Sequence, residues 1–453
     1  MFIPHSPAER EEMLASIGVK SIEDLFEAVP KAQRFPRLDL LPGLTEMETA
    51  AQLKEMAEAN FSLEDASCFL GAGAYRHYIP AAIDNLISRG EFYTAYTPYQ
   101  PEISQGTLQA IFEYQSLIAR LTGMDVSNAS HYDGATSCAE AGILAYHQYR
   151  GKRKRILVSA GLHPHYQAVM RTYLQDFDGM RIDVPETVSL DEINPRRLAE
   201  MTDDSTAMVV VQYPDFFGQV HDFTELAAAV HAKGALFCVC VNPIALGLLK
   251  TPGEMGADVV VGEGQPLGIP PAMGGPYLGL FATRKELARK MSGRIVGETV
   301  DNRGQKGYVL TLTAREQHIR REKATSNICS NQGLNALAAA IYLSLLGKEG
   351  LRSVARLCYD KAHYAAAKIG SIPGFKVLNS GTFFHEFVVV CPEPVVAFNE
   401  HLLHHSILGG YDLSSDWPSL GNAMLVAVTE MNSKEDIDNF CHVLAGDDHD
   451  HEA

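Results

Sequence analysis

The sequence predicts an α/β protein with a large, mostly parallel sheet domain and a smaller α+β domain at its C-terminal end. Six apolar runs rich in β-branched residues fall between Arg155 and Arg284, and segments of helical pattern separate them. Strands alternating with helices in this way build βαβ units around a sheet buried on both faces. Beyond Gln332 the pattern changes to a helix followed by alternating strand-like and helical segments. With 453 residues, 46% of them hydrophobic, the chain suits two or three domains at roughly 100–200 residues each.

The elements follow in order. Ser6-Pro7-Ala8-Glu9 sets a hydroxyl cap, a proline in the first turn and a carboxylate three residues after the cap, which starts a helix. Ser21-Ile22-Glu23-Asp24 is a weaker start, and Pro30, Pro36 and Pro42 then punctuate a connector. Residues 1–65 therefore read as a helical arm. The strand runs of the large domain, 66–330, are Ile156–Val158, Met180–Val184, Ala207–Val211, Ala235–Val241, Asp258–Val261 and Tyr277–Phe281. The small domain, 331–446, begins with a helix over Leu334–Leu346. It continues with strands at Glu386–Val390 and Met424–Val428 and helices at Val395–His404 and Ser433–Leu444. The acidic tail 447–453 has no apolar anchor and reads as disordered.

Charge narrows the function. There are 38 basic and 55 acidic side chains, 38 − 55 = −17, a field that opposes nucleic acid and anionic membrane alike. The dense basic run Lys152-Arg153-Lys154-Arg155 reads as a solvated loop. No apolar stretch reaches the ~20 residues that span a bilayer, and Met1-Phe2-Ile3-Pro4 opens neither a signal nor a transit peptide, so a cytoplasmic protein is expected. The eight cysteines are scattered and read as reduced, mostly buried small hydrophobes.

Gly71-Ala72-Gly73-Ala74-Tyr75-Arg76 fails as a dinucleotide fingerprint, because Arg76 holds the sixth position and no strand is expected before it. His163-Pro164-His165 and the group His401, His404 and His405 lack a supporting carboxylate or thiolate, so no metal is expected. Asp133-Gly134-Ala135-Thr136-Ser137 opens a helix, and its free N–H groups make Gly134, Thr136 and Ser137 candidates for a phosphate cup, with a plain capped turn as the alternative.

A phosphate cup followed by βα units is the layout of folds that bind pyridoxal phosphate. Such a site needs an amine for a Schiff base and a carboxylate facing the pyridine nitrogen. After the strand at Asp258–Val261 comes Gly262-Glu263-Gly264-Gln265-Pro266-Leu267-Gly268, and no lysine occurs from Thr251 to Arg284. The end of the strand at Val241 carries Asn242, whose amide has no charge to offer. The residues predict no such chemistry on this chain alone. The rival reading is an autonomous pyridoxal-phosphate lyase or aminotransferase that uses Lys250 or Lys323; a third is a purely scaffolding, docking subunit.

Two stretches have no regular period. Phe92–Glu102 gathers four aromatics and two prolines, which suits a buried rigid loop or an active-site or interface loop equally. Arg315–Cys329 mixes charges and small polar residues and reads by default as a solvated helical face.

Four motifs in order, Gly71–Pro80, Tyr96–Gly106, Gly256–Gly268 and Arg321–Cys329, resemble the glycine cleavage system P-protein family, and within it the alpha chains of the split bacterial form. The similarity covers nearly the whole chain. It implies a fold-type I, pyridoxal-phosphate-transferase-like architecture with a seven-stranded sheet, in a complex of two alpha and two beta subunits. It also implies glycine decarboxylation, with transfer of the aminomethyl group to the lipoyl arm of the H-protein. The resemblance places pyridoxal 5'-phosphate on the beta subunit, with Pro266 about where its lysine would align, and leaves no catalytic residue or covalent cofactor on this chain. Many similar alpha chains have Asp-Pro where this one has Asn242-Pro243. From their composition, Tyr75, Arg76, His77, Thr94, Tyr96, Tyr99 and Gln100 are candidates to face a site shared with the partner.

Overall fold

Capping decides where the first helices begin. In the computed structural model, which describes residues 5–272 and 274–446, Ser6 Oγ accepts the Glu9 N–H and the Glu9 carboxylate accepts the Ser6 N–H at the start of helix Pro7–Ile17. Thr45 and Glu48 repeat the device for helix Glu46–Glu58. Two such boxes satisfy donors that a helix start leaves open. These helices belong to the first of two units, Met1–Ser62 and Leu63–Ala453. Neither helix buries a side chain, so their ends are defined locally rather than by packing. The tail 447–453 lies outside the described residues.

The second unit opens with a two-residue strand, β1 (Ser67–Cys68). The seven-stranded sheet then takes β2 (Val126–Ser127), β3 (Arg155–Val158), β4 (Arg181–Asp183), β5 (Thr206–Tyr213), β6 (Leu236–Val241), β7 (Val259–Glu263) and β8 (Gly279–Thr283), in the spatial order β2-β8-β7-β6-β5-β3-β4. Strands β3 to β7 pair in parallel, while β8 runs antiparallel to β7 and β2. Alternate residues serve opposite faces. Ile156, Val158, Met208, Val210, Cys238, Cys240 and Val261 pack with helices Gly134–Gln148 and Pro164–Leu174. Leu157, Val209, Val211, Phe237, Val239 and Val260 pack with Leu226 and Val230 of helix Thr224–Ala232. Burying each such side chain is worth about 1.5–3 kcal/mol, which is why apolar runs marked this sheet in the sequence.

A hairpin follows, β9 (Ile295–Val300) with β10 (Lys306–Thr311), which the sequence pattern did not mark. The C-terminal part holds β11 (Lys376–Val377), β12 (Glu386–Val390), β13 (Ile407–Leu408), β14 (Tyr411–Asp412) and β15 (Ala423–Ala427). They form an antiparallel sheet, β11-β12-β15-β14, and a separate parallel pair of β1 with β13. Gly218 sits at φ +82, and a Cβ there would collide with the Glu386 carbonyl, so the chain must be bare where it crosses β12.

Four expectations need correction. The helix foreseen at Leu334–Leu346 runs over Gly333–Ile369, interrupted at Gly347 by φ 58, ψ −167. Arg315–Cys329 is not a solvated helix: one turn at Gln317–Arg320 and short 3-10 turns hold it, and Arg315 and Glu316 turn inward. The basic run is not all solvent. Arg155 starts β3, is 8% exposed and bonds Asp183, Asp203 and the Met201 carbonyl, because a buried guanidinium needs acceptors. A strand does precede Gly71, but β1 pairs in the C-terminal part and no helix follows it directly. All eight cysteines are free thiols and six are buried. Among the described residues no helix is long and apolar enough to cross a membrane.

Candidate functional site

In a parallel sheet, ligands occupy the crevice beyond the carboxyl ends of the strands. Here that crevice lies over β5, β6 and β7, facing the start of helix Gly134–Gln148. Asp133 caps the helix: its Oδ1 accepts the Thr136 N–H at 2.7 Å, and Thr136 Oγ1 and Ser137 Oγ donate back to Asp133 at 3.0 and 2.8 Å. The Gly134 N–H donates to Glu263 Oε2 at 2.9 Å. The three cup candidates are thus together, with their donors engaged by the Glu263 carboxyl and by the side chain and backbone carbonyl of Asp133. Glu263 Oε1 also accepts the N–H groups of Gln265 and Leu278. Burial pushes the Glu263 carboxyl up to about 8, against these three donors, which favour the anion. A Cβ on Gly134 would collide with the Tyr166 hydroxyl and come within 2.8 Å of Glu263 N.

The rest of the crevice is filled in the same way. Gln265, fully buried, takes the Tyr75 N–H and donates to the Tyr75 and Ile269 carbonyls. The Tyr75 hydroxyl donates to Glu386 Oε2 at 2.7 Å, and burial raises the Glu386 carboxyl to about 7. Burial lowers His163 to about 4, so it is neutral at pH 7. Its Nε2–H donates to the Ala72 carbonyl and its Nδ1 accepts the His165 N–H. Asn242 Oδ1 accepts the Ile244 N–H and its Nδ2 donates to His385 Nε2.

What remains between Tyr75, His163, Tyr166, Asn242, Glu263 and Pro266 is a cavity of about 30 Å³. Such a space suits ordered water, far short of the ~300–1,000 Å³ typical of ligand pockets. The residues present do not fit pyridoxal phosphate: the N–H groups of Gly134 and Thr136 are engaged, the space left is about 30 Å³, Asn242 offers no charge and no lysine lines the crevice. Neither rival lysine helps. Lys250 bonds Thr224 at 2.8 Å, Lys323 sits in an exposed turn, and neither lines this crevice.

The seven candidates for a shared site fall into two groups. Tyr75 and His77 are buried and Arg76 is half-buried, its guanidinium donating to the Ala66 carbonyl. His77 Nδ1 lies 2.7 Å from Glu430 Oε2, and the Tyr78 N–H and the Cys358 thiol donate to the same carboxylate. Although burial pushes it up, these bonds hold Glu430 down at about 2. His77, Cys358 and Glu430 are the one metal-ligand grouping found among the described residues; with three hydrogen bonds, the carboxylate is already engaged. Thr94, Tyr96, Tyr99 and Gln100 are instead exposed on one loop. Tyr96 helps line a pocket of about 160 Å³ with Phe92, Pro98, Ile111 and Leu337, and the Tyr99 hydroxyl accepts from Arg294 at 3.0 Å. Sequence reasoning missed Glu263, Gln265, Glu386 and Glu430. The available signal was an acidic residue ending the apolar run Val259–Glu263.

The family profile of the glycine cleavage system P-protein matches residues 1–444. The chain belongs to that family. It is 52% identical to the "Probable glycine dehydrogenase (decarboxylating) subunit 1" of Thermomicrobium roseum, over 98% of this chain and 99% of that one. Its structure is similar to an inhibitor-bound crystal structure of glycine decarboxylase, the P-protein of the glycine cleavage system. The TM-score is 0.91 at 41% identity, covering 98% of this chain and 99% of that chain. A sphingosine-1-phosphate lyase of Burkholderia pseudomallei matches at TM-score 0.67 and 17% identity, over 92% and 94% of the two chains, a likeness of fold alone. The fold is that of fold-type I pyridoxal-phosphate enzymes. This P-protein family member therefore keeps the architecture of a coenzyme site whose crevice its own side chains fill.

Proposed function

We propose that this chain is the alpha subunit of glycine dehydrogenase (decarboxylating), EC 1.4.4.2, and is inactive alone. It works in the cytoplasm in a complex of two alpha and two beta subunits that decarboxylates glycine and passes the aminomethyl group to the lipoylated H-protein. The observation that carries this reading is the filled crevice, lined by Asn242 and Pro266 and by no lysine, in a chain that matches this family over residues 1–444. Pyridoxal 5'-phosphate, held by the beta subunit, supplies the electron sink for decarboxylation. On this chain the exposed group Thr94, Tyr96, Tyr99 and Gln100 faces the shared site, and Tyr75, Arg76 and His77 stand behind it as a wall fixed by Glu386, Ala66 and Glu430.

Glycine-dependent bicarbonate exchange, measured for each chain alone and for the mixture, tests the assignment: activity is expected only in the mixture. Borohydride-trappable absorbance from this chain alone would instead support the autonomous enzyme. Within the complex, Tyr96→Phe is expected to lower exchange about tenfold, or ~1.4 kcal/mol of barrier, at unchanged stability. An unchanged rate would leave the scaffolding reading. His77→Ala is expected to act on stability, by about 1–3 kcal/mol, because it removes one of three hydrogen bonds to the buried Glu430 carboxylate.

A further inference from the structure

A second polar pocket lies between Gly293, Arg315 and Ser330, and it has the opposite character. Arg315 Nη1 donates to the Met291 carbonyl, which fixes the guanidinium plane. Its Nε–H and Nη2–H, the two parallel donors of one guanidinium edge, are buried without a partner among the described residues. Arg294, 4% exposed, lies in the same wall. Its Nη groups donate to Ser330 and Tyr99, while its Nε is 3.6 Å from Glu316 and makes no hydrogen bond. Glu316 is the carboxylate nearest to hand, and it is shared between Arg294 and His318 at 3.5 Å. Glu140 accepts from Ser326 Oγ at 2.7 Å, and burial raises its carboxyl to about 7. Two guanidinium groups thus face one shared carboxylate, in a chain whose net charge is −17.

A buried donor without an acceptor is costly, and a planar guanidinium edge matches the two oxygens of a carboxylate or phosphoryl group. We propose that the Nε/Nη2 edge of Arg315, backed by Arg294, is a binding site for an oxyanion head group. The cavity of about 20 Å³ has room for little more than the oxygens that would meet that edge. Because Arg294 also holds Tyr99, the site adjoins the exposed loop Thr94–Gln100, and an occupant would stiffen that loop through Ser330, Arg294 and Tyr99.

The test is calorimetric titration of the isolated full-length chain with sodium acetate, glycine and inorganic phosphate, at ionic strength held constant with sodium chloride. Saturable binding of acetate or glycine is expected, weakened at least tenfold in Arg315→Lys, which keeps the charge and loses the edge. Saturable phosphate binding with the same sensitivity would keep the site and assign it to a phosphoryl group. No saturable binding of any probe, or binding that Arg315→Lys leaves unchanged, overturns the proposal. A crystal of the wild-type chain grown with acetate needs no variant: carboxylate density bridging Arg315 Nε and Nη2 supports the site, and a water there overturns it. The titration uses neither partner nor turnover, so its failure leaves the subunit assignment to the exchange assay.

Discussion

The crevice above β6 and β7 and the pocket at Arg315 are both polar and both buried, yet they treat their donors in opposite ways. In the crevice the N–H groups of Gly134, Thr136 and Ser137 at the helix start meet Glu263 or Asp133, and Gln265 and Glu386 tie down the wall. At Arg315 two charged donors are buried with no acceptor among the described residues, in the wall of a small cavity. The difference separates a site the protein has closed with its own side chains from one built to be completed from outside. Burial alone does not distinguish them; satisfaction of the polar atoms does.

The largest effect expected from the closed side concerns pH. Burial raises the Glu263 and Glu386 carboxyls from ordinary values near 4.5 to about 8 and about 7. The folded state therefore binds more protons than the unfolded one above pH 4.5. Their stabilisation is complete below that pH and declines as pH rises through 7 and 8, by at most about 1.4 kcal/mol per pH unit for each group. Urea unfolding from pH 5 to 8 should show the decline, and Glu386→Gln should remove its share up to pH 7; a slope unchanged by that variant would mean the carboxyl is ionised.

Next in size, Gly134→Ala forces a methyl against Tyr166 and is expected to cost about 1–3 kcal/mol by overpacking. A neutral result by the same unfolding assay would show that the crevice is loose enough to open. Asp133→Ala removes the helix cap and should cost about 1 kcal/mol. It should create no affinity for phosphate, since Glu263 still holds Gly134. Smallest of all, Arg315→Met in anion-free buffer is expected to change stability by no more than about 1 kcal/mol in either direction, because it removes an unpaired buried charge along with its side chain. A loss of several kcal/mol would show that the guanidinium is already paired within the chain and would erase the contrast.

How much of this was legible beforehand follows from the range of each interaction. The strands at Arg155–Val158 and Leu236–Val241 and the helix starts at Ser6 and Asp133 were readable because periodicity and capping act within a few residues. The hairpin β9–β10 was not, since its strands are partly exposed and lack an apolar run. Of the candidate site, the exposed aromatic loop was readable as a feature without a regular period, though its composition gave no sign of exposure. Tyr75 and His77 looked alike in sequence to Tyr96 and Tyr99; their burial depends on Glu386 and Glu430, more than 300 residues away.

By itself the sequence determined the alternation of strands and helices, the absence of lysine from Thr251 to Arg284 and the family to which the chain belongs, all properties of residue identity and local spacing. Tertiary structure alone decided that Glu263 occupies the start of a helix 129 positions earlier and that one edge of Arg315 is left without an acceptor. Hydrogen-bond satisfaction is a property of neighbours in space, and no local pattern records which distant backbone or carboxylate a buried donor will meet.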